Sequence, residues 1–156
     1  MKGNEQIIET LNLLLADELT AVSQYMVHSE LCDNWGYARL HKLVEGRAKD
    51  EMRHAEWLIG RIIFLEGMAT VSKINPMHIG MTVEDQLGKD HESEAGAVAN
   101  YNVAIKLAGE LADNGTRDLL TKILLEEEAH IDWLEAQKDQ VSQMGIQLYL
   151  SLQVKE

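Results

Sequence analysis

The pattern Glu-x-x-His occurs twice, as Glu51-Met52-Arg53-His54 and as Glu127-Glu128-Ala129-His130, and this repetition constrains the chain more than any other feature. Three residues is close to one helical turn, so in each copy the carboxylate and the imidazole share a helix face. The copies lie 76 residues apart (51 to 127), and their surroundings repeat with them. Trp57-Leu58 recurs as Trp133-Leu134, with Glu56 answered by Asp132. At the same offset Glu18, Ala21, Val22 and Tyr25 return as Glu94, Ala97, Val98 and Tyr101. Each Glu-x-x-His thus has a matched glutamate 33 residues upstream (18 to 51 and 94 to 127). The chain reads as two related helix pairs, each carrying one lone Glu and one Glu-x-x-His.

The local signals place these pairs. Asn4 is a cap for a first helix with Glu5 in its first turn, and Ile7, Ile8, Leu11, Leu14, Leu15, Leu19, Val22 and Met26 follow at helical spacing. Asp33-Asn34-Trp35-Gly36 stops it. A second helix spans about Ala38 to Glu66, with Gly67 at its end. Met68 to Met81 contains the only proline, Pro76, has no helical stripe, and reads as a crossover along the outside of a bundle. Thr82 caps a third helix with Asp85 completing a variant capping box, and that helix runs to about Ala112. Asp113-Asn114-Gly115 reads as a tight turn and Thr116 as the cap of a fourth helix ending near Met144, before Gly145. Ile146 to Leu152 is a short apolar fifth helix, expected to pack on other subunits. The expectation is an all-α single domain over residues 1–156, with a four-helix bundle from about 4 to 145, a long crossover between helices 2 and 3, and a short C-terminal helix from about 146 to 152.

On core-facing stripes, a carboxylate among small apolar neighbours is unfavourable unless it is paired or bound to metal. Glu18, Glu51, His54, Glu94, Glu127 and His130 at corresponding depths therefore point to a site for two cations, and mixed carboxylate and imidazole donors suit iron, manganese or zinc. Glu51 and Glu127 are assigned as bridging ligands, Glu18 and Glu94 as terminal ones, and His54 and His130 to one metal each. Tyr25 and Tyr101 share the ligand stripe and are read either as hydrogen-bond donors to ligand carboxylates or as amphipathic core residues. His91 is expected to pack or to support the site. His28, His41 and His78 have no partner in the repeat and read as surface or boundary residues. Asp50, Glu56, Glu126 and Glu128 flank ligands but are expected to turn away from them, and Trp57 and Trp133 to pack. Met52, rotated about 100° off the ligand face, should point out of the bundle, as an interface residue or as a thioether ligand.

The net charge of −12 argues against a nucleic-acid-binding surface. A lone cysteine, Cys32, excludes an intrachain disulfide framework. No signal-peptide core and no long apolar run is present, so neither export nor a membrane span is expected and the cytoplasm is the expected compartment.

Several of these stretches resemble bacterioferritin over essentially the whole chain: Glu18-Leu19, Gln24-Tyr25, Asn34-Trp35-Gly36, Asp50-Glu51-Met52-Arg53-His54-Ala55, Phe64-Leu65-Glu66-Gly67 and Glu127-Glu128-Ala129-His130-Ile131-Asp132-Trp133. Met52 inside the first Glu-x-x-His is the most specific of them. The resemblance implies a ferritin-like fold and a ferroxidase that oxidises Fe(II) with O2 or H2O2 at two Fe ions per subunit. It further implies ferric mineral stored inside a homo-oligomeric 24-mer shell. It also implies haem b shared between two subunits and ligated by Met52 from each, with a ferredoxin-type reductant for iron release. The family's pattern differs around Met52, where Glu45, Lys49 and Arg53 share the outer stripe, and at Gly46 and Arg47, which replace a His and an acidic residue. The competing readings are a rubrerythrin-like peroxidase, which would normally bring a paired-cysteine iron module, another di-metal oxidase without storage, and a metal-free interaction bundle.

Overall fold

A computed structural model of the chain describes residues 1–155. Five helices follow one another: α1 (Glu5–Asn34), α2 (Ala38–Phe64), α3 (Val83–Glu110), α4 (Asn114–Met144) and α5 (Ile146–Ser151). The four long ones are ~40–47 Å each at 1.5 Å per residue. Side-chain caps set the starts of α1, α3 and α4, whereas α2 begins at Tyr37 without one. Asn4 accepts from the Gln6 amide and Thr82 from the Asp85 amide. The cap of α4 is Asp113 rather than the expected Thr116: the Asp113 carboxylate accepts from the Thr116 amide at 3.0 Å and from its hydroxyl at 2.7 Å. An Asx residue three positions before a free amide is the stronger cap, so Asp113-Asn114-Gly115 opens the helix instead of forming a separate turn. α2 and α3 stop two residues earlier than expected, where Glu66 and Ala112 take left-handed φ values of 62° and 56°. Such residues end a helix even without glycine.

The hydrogen bonds of the crossover establish the topology. Met68 and Thr70 bond to Asn12, Asn75 to Asp17 and Thr20, His78 to Gln24, and Gly80 to His28. The segment therefore climbs α1 from Asn12 to His28 and delivers α3 to the opposite end, giving up-down-down-up order. At its top, a Cβ on Gly80 would lie 2.4 Å from the Gln86 backbone nitrogen, so the chain passes too close to α3 for any side chain there.

His28 corrects the surface reading. It is fully buried, with Nδ1 2.9 Å from Asp90 and Nε2 accepting the Gly80 amide at 2.9 Å, so it ties crossover, α1 and α3 together. His41 is half-buried against Ser29, and His78 is exposed. α5 docks on its own chain: Tyr149 is buried in a cluster with Cys32, Leu134 and Val141, and its hydroxyl donates to Gln137 at 2.9 Å. Leu148 and Leu152 remain exposed.

The apolar core falls into two large clusters and a small one of Tyr25, Val44 and Ala48. One large cluster holds Ile7 to Leu15, Ala55 to Leu65, Tyr101 to Ala108 and Leu120 to Leu124; the other holds Cys32, Leu40, Val83, Leu87, Leu134, Val141 and Tyr149. On every long helix the paired Glu and His positions fall between the two. The fold thus brackets the donor layer between two apolar clusters. Among the described residues no helix is long and apolar enough to cross a membrane.

Candidate metal centre

All six predicted donors meet in that layer. α1 supplies Glu18, α2 Glu51 and His54, α3 Glu94, and α4 Glu127 and His130. Four of them, Glu18, Glu51, His54 and Glu127, offer ligand atoms within 4.8 Å of one another, as do Glu51, Glu94, Glu127 and His130. The two groups share Glu51 and Glu127.

The oxygens divide in a definite way. His54 Nδ1 lies 3.2 Å from Glu51 Oε2, 3.0 Å from Glu127 Oε1 and 3.6 Å from Glu18 Oε2. His130 Nδ1 lies 3.1 Å from Glu51 Oε1, 3.3 Å from Glu127 Oε2 and 3.5 Å from Glu94 Oε1. Glu51 and Glu127 each send one oxygen to either imidazole, whereas Glu18 and Glu94 serve one apiece. Despite these approaches, Glu51 Oε1, both Glu127 oxygens and His130 Nδ1 are buried without a well-formed hydrogen bond. Donors this close that aim past one another share a common target, as ligands to a cation do. Buried polar atoms are otherwise nearly always paired, so the donor set fits two metal ions.

Charge within the layer is mutually compensating. Burial raises Glu18 well above the carboxylate range, with Glu51 and Glu127 adding to the shift against the His54 hydrogen bond. Burial likewise brings Glu94 to about 7, opposed by His130. At Glu51 burial is outweighed by hydrogen bonds from His130 and His54, which hold it at about 2, and Glu127 is lowered in the same way. Burial would discharge the imidazoles, but the surrounding carboxylates overcome it, raising His54 strongly and His130 to about 12.

Around the donors stand residues that hold them. The Tyr101 hydroxyl donates to Glu18 and the Tyr25 hydroxyl to Glu94, each phenol lying on the helix that its acceptor does not. The geometry carries both readings of these tyrosines: each hydroxyl bonds a candidate ligand, and each ring is buried in an apolar cluster. Glu126 and Asp50 were expected to turn away, yet both reach the outer nitrogens of the imidazoles. Glu126 Oε2 lies 2.8 Å from His54 Nε2, and Asp50 Oδ2 lies 3.5 Å from His130 Nε2. Each belongs to the opposite Glu-x-x-His, so the reach is across the bundle rather than along its own helix. The signal was present in the repeat, because an acid precedes each bridging position 76 residues apart (50 to 126). His91 instead pairs with Glu135 at 3.3 Å on the surface.

Trp57 packs beside His54, its ring centre 5.8 Å from the imidazole, and Arg47 lies buried 4.3 Å over the Trp133 ring. A cavity of about 190 Å³ reaches the layer between α1 and α3, lined by Asp17, Asn75, Pro76 and Asn100 together with the four donor glutamates. Met52 is 48% exposed on the outer face of α2, away from the six donors, beside an ion pair of Lys49 with Glu45 at 3.1 Å.

Residues 8–144 match the family model for the ferritin-like domain. The chain is 40% identical to the bacterioferritin of Brucella melitensis, over 96% of this chain and 92% of that protein. It is 36% identical to a bacterioferritin of Mycobacterium tuberculosis, over 96% and 94% respectively. A bacterial ferritin of Synechocystis is 37% identical over 99% of both chains. With its all-α crossover bundle, its duplicated Glu-x-x-His and this likeness along nearly its whole length, the chain belongs to the ferritin family and, within it, to the bacterioferritins.

Proposed function

We propose that the protein stores and detoxifies iron, oxidising Fe(II) at the dinuclear site with O2 or H2O2 and holding the ferric product as mineral inside a shell of 24 copies. The observation that carries this reading is the division of oxygens: two carboxylates each face both imidazoles, and two face one each. Iron is the substrate, and two ferrous ions held side by side supply one electron each to a shared oxidant.

The residues act by placement. Glu51 and Glu127 would hold both cations, keeping them adjacent as their charge rises. Glu18 and Glu94 close one position each, steadied by the phenols of Tyr101 and Tyr25. Glu126 accepts from the outer nitrogen of His54, and Asp50 lies beside that of His130, so the inner nitrogens stay free to bind metal. Asp17, Asn75 and Asn100 line the cavity that reaches the layer. Met52, a soft and exposed donor, would ligate haem b jointly with a second copy across a two-fold axis, and such a haem would pass electrons from a ferredoxin-type reductant to the mineral for release.

The test combines mass and chemistry. The wild-type protein should elute as a large shell, consume Fe(II) added without oxygen once oxidant is admitted, and retain the iron as mineral. Glu18→Ala and His130→Ala should remove the fast phase while leaving helical content intact. Elution as a monomer or dimer would rule out storage. Peroxide turnover without retained iron would favour a rubrerythrin-like peroxidase.

A further inference from the structure

The carboxylates behind the two imidazoles are joined by a single side chain. Arg53 NH1 lies 3.0 Å from Asp50 Oδ1, and Arg53 NH2 lies 2.8 Å from Glu126 Oε2. That same Glu126 oxygen lies 2.8 Å from His54 Nε2, while the other Asp50 oxygen lies 3.5 Å from His130 Nε2. A continuous path therefore runs from one imidazole to the other around the outside of the site: His54, Glu126, Arg53, Asp50, His130. The guanidinium has the fork geometry this requires, with two nitrogens addressing carboxylates on different helices. It is itself set against Trp57, its Cζ 5.3 Å from the ring centre, and Lys122 Nζ lies 3.7 Å from that centre.

The repeat makes the arrangement lopsided. The position equivalent to Arg53 in the second Glu-x-x-His is Ala129, so one arginine serves both halves. The halves are not served equally, because the Glu126 contact to His54 is short and the Asp50 contact to His130 is long. The His54 side chain is also wholly buried, whereas that of His130 is 12% exposed.

Resting on the dinuclear reading above, we infer that Arg53 is a positioning residue that orients both imidazoles through Glu126 and Asp50, and that it makes the two metal positions unequal, with the one at His54 binding more tightly. Arg53 touches neither candidate metal position; it acts through the two carboxylates. A His whose outer nitrogen is firmly held loses less orientational freedom on ligation and is the more basic donor, and removal of such partners typically weakens metal binding ~10–100-fold.

The test uses Co(II), which reports ligation by its visible absorption without turnover. Titration of the wild-type protein should show two resolved steps per chain. Arg53→Ala should weaken the tighter step by ~10-fold or more and alter its absorption band. Arg53→Lys, whose one ammonium cannot fork between both carboxylates, should restore only part of the difference between the steps. Glu126→Gln should reproduce the loss at the tighter step, and provides the same comparison should Arg53→Ala fail to fold. Two Co(II) ions bound with superimposable isotherms and spectra in wild-type, Arg53→Ala and Glu126→Gln proteins would overturn the role of Arg53 and leave the dinuclear reading standing. A wild-type protein that binds no Co(II) would overturn both.

Discussion

Loading the centre with a redox-inert cation should expel protons, and the geometry sets how many. In the metal-free layer two ionised carboxylates, Glu51 and Glu127, face two imidazolium groups. His130 is held at about 12 because Glu127, Glu51 and Glu94 outweigh its burial, and His54 is raised in the same way. Both rings must be neutral to bind metal, so each gives up one proton. Glu94, brought by burial to about 7, is half protonated at pH 7 and adds ~0.5 proton. Glu18, also raised by burial, adds to the release. Zn(II) binding should therefore release at least ~2.5 protons per pair of cations at pH 7. The sign of the pH dependence follows from Glu94. A carboxyl group raised in the metal-free folded state keeps its proton below that value and loses it as pH rises through it, so release should fall by ~0.8 proton between pH 6 and pH 8. Calorimetric titration in buffers of different ionisation enthalpy measures this directly. Fewer than about one proton released per pair at pH 7 would mean that the imidazoles are already neutral, and the charge compensation described above would be wrong.

Three other perturbations probe separate parts of the molecule. Asp113→Ala removes the α4 cap and the 2.8 Å contact to Arg61, and should lower stability by ~1–2 kcal/mol, or ~2–8 °C in melting temperature; an unchanged melt would refute the cap. Cys32 is 1% exposed and its thiol is pushed up to about 12, chiefly by burial, so a disulfide reagent at neutral pH should modify it only at the rate of unfolding, and fast labelling of the native protein would contradict that burial. Met52→Leu should abolish the Soret band of haem-reconstituted protein, and a retained band would show that haem is ligated elsewhere.

Much of the fold and the six donors could be read from the sequence because duplication wrote each feature twice. One Glu-x-x-His carries almost no information, but a second copy with a matched upstream glutamate selects a register for all four helices at once. What stayed hidden depends on contacts between helices that period and spacing do not encode. His28 has no counterpart in the repeat, and its burial comes from the crossover passing overhead at Gly80. Glu126 and Asp50 lie one residue from ligands and rotate off the ligand face of their own helices, so only the neighbouring helix turns that direction into a contact. The cap of α4 was misplaced by three residues because Asp113 and Thr116 are both good caps, and the choice falls to the one that Arg61 also holds. The short α5 was expected to pack on other subunits; its one aromatic, Tyr149, is buried against its own chain, a contact no period or spacing encodes, while Leu148 and Leu152 stay exposed.

The crossed phenols make the two hairpins interdependent. Tyr25 steadies a carboxylate belonging to the other hairpin, and Tyr101 returns the favour, while Glu51 and Glu127 lend an oxygen to the opposite imidazole. Neither half, cut free at the crossover, would retain even one fully furnished metal position; each would keep a phenol without its acceptor and a histidine missing a shared oxygen. The chain is in this sense a fused pair of like partners, and the covalent link between them guarantees, at any protein concentration, a meeting that separate hairpins could achieve only by finding one another in solution.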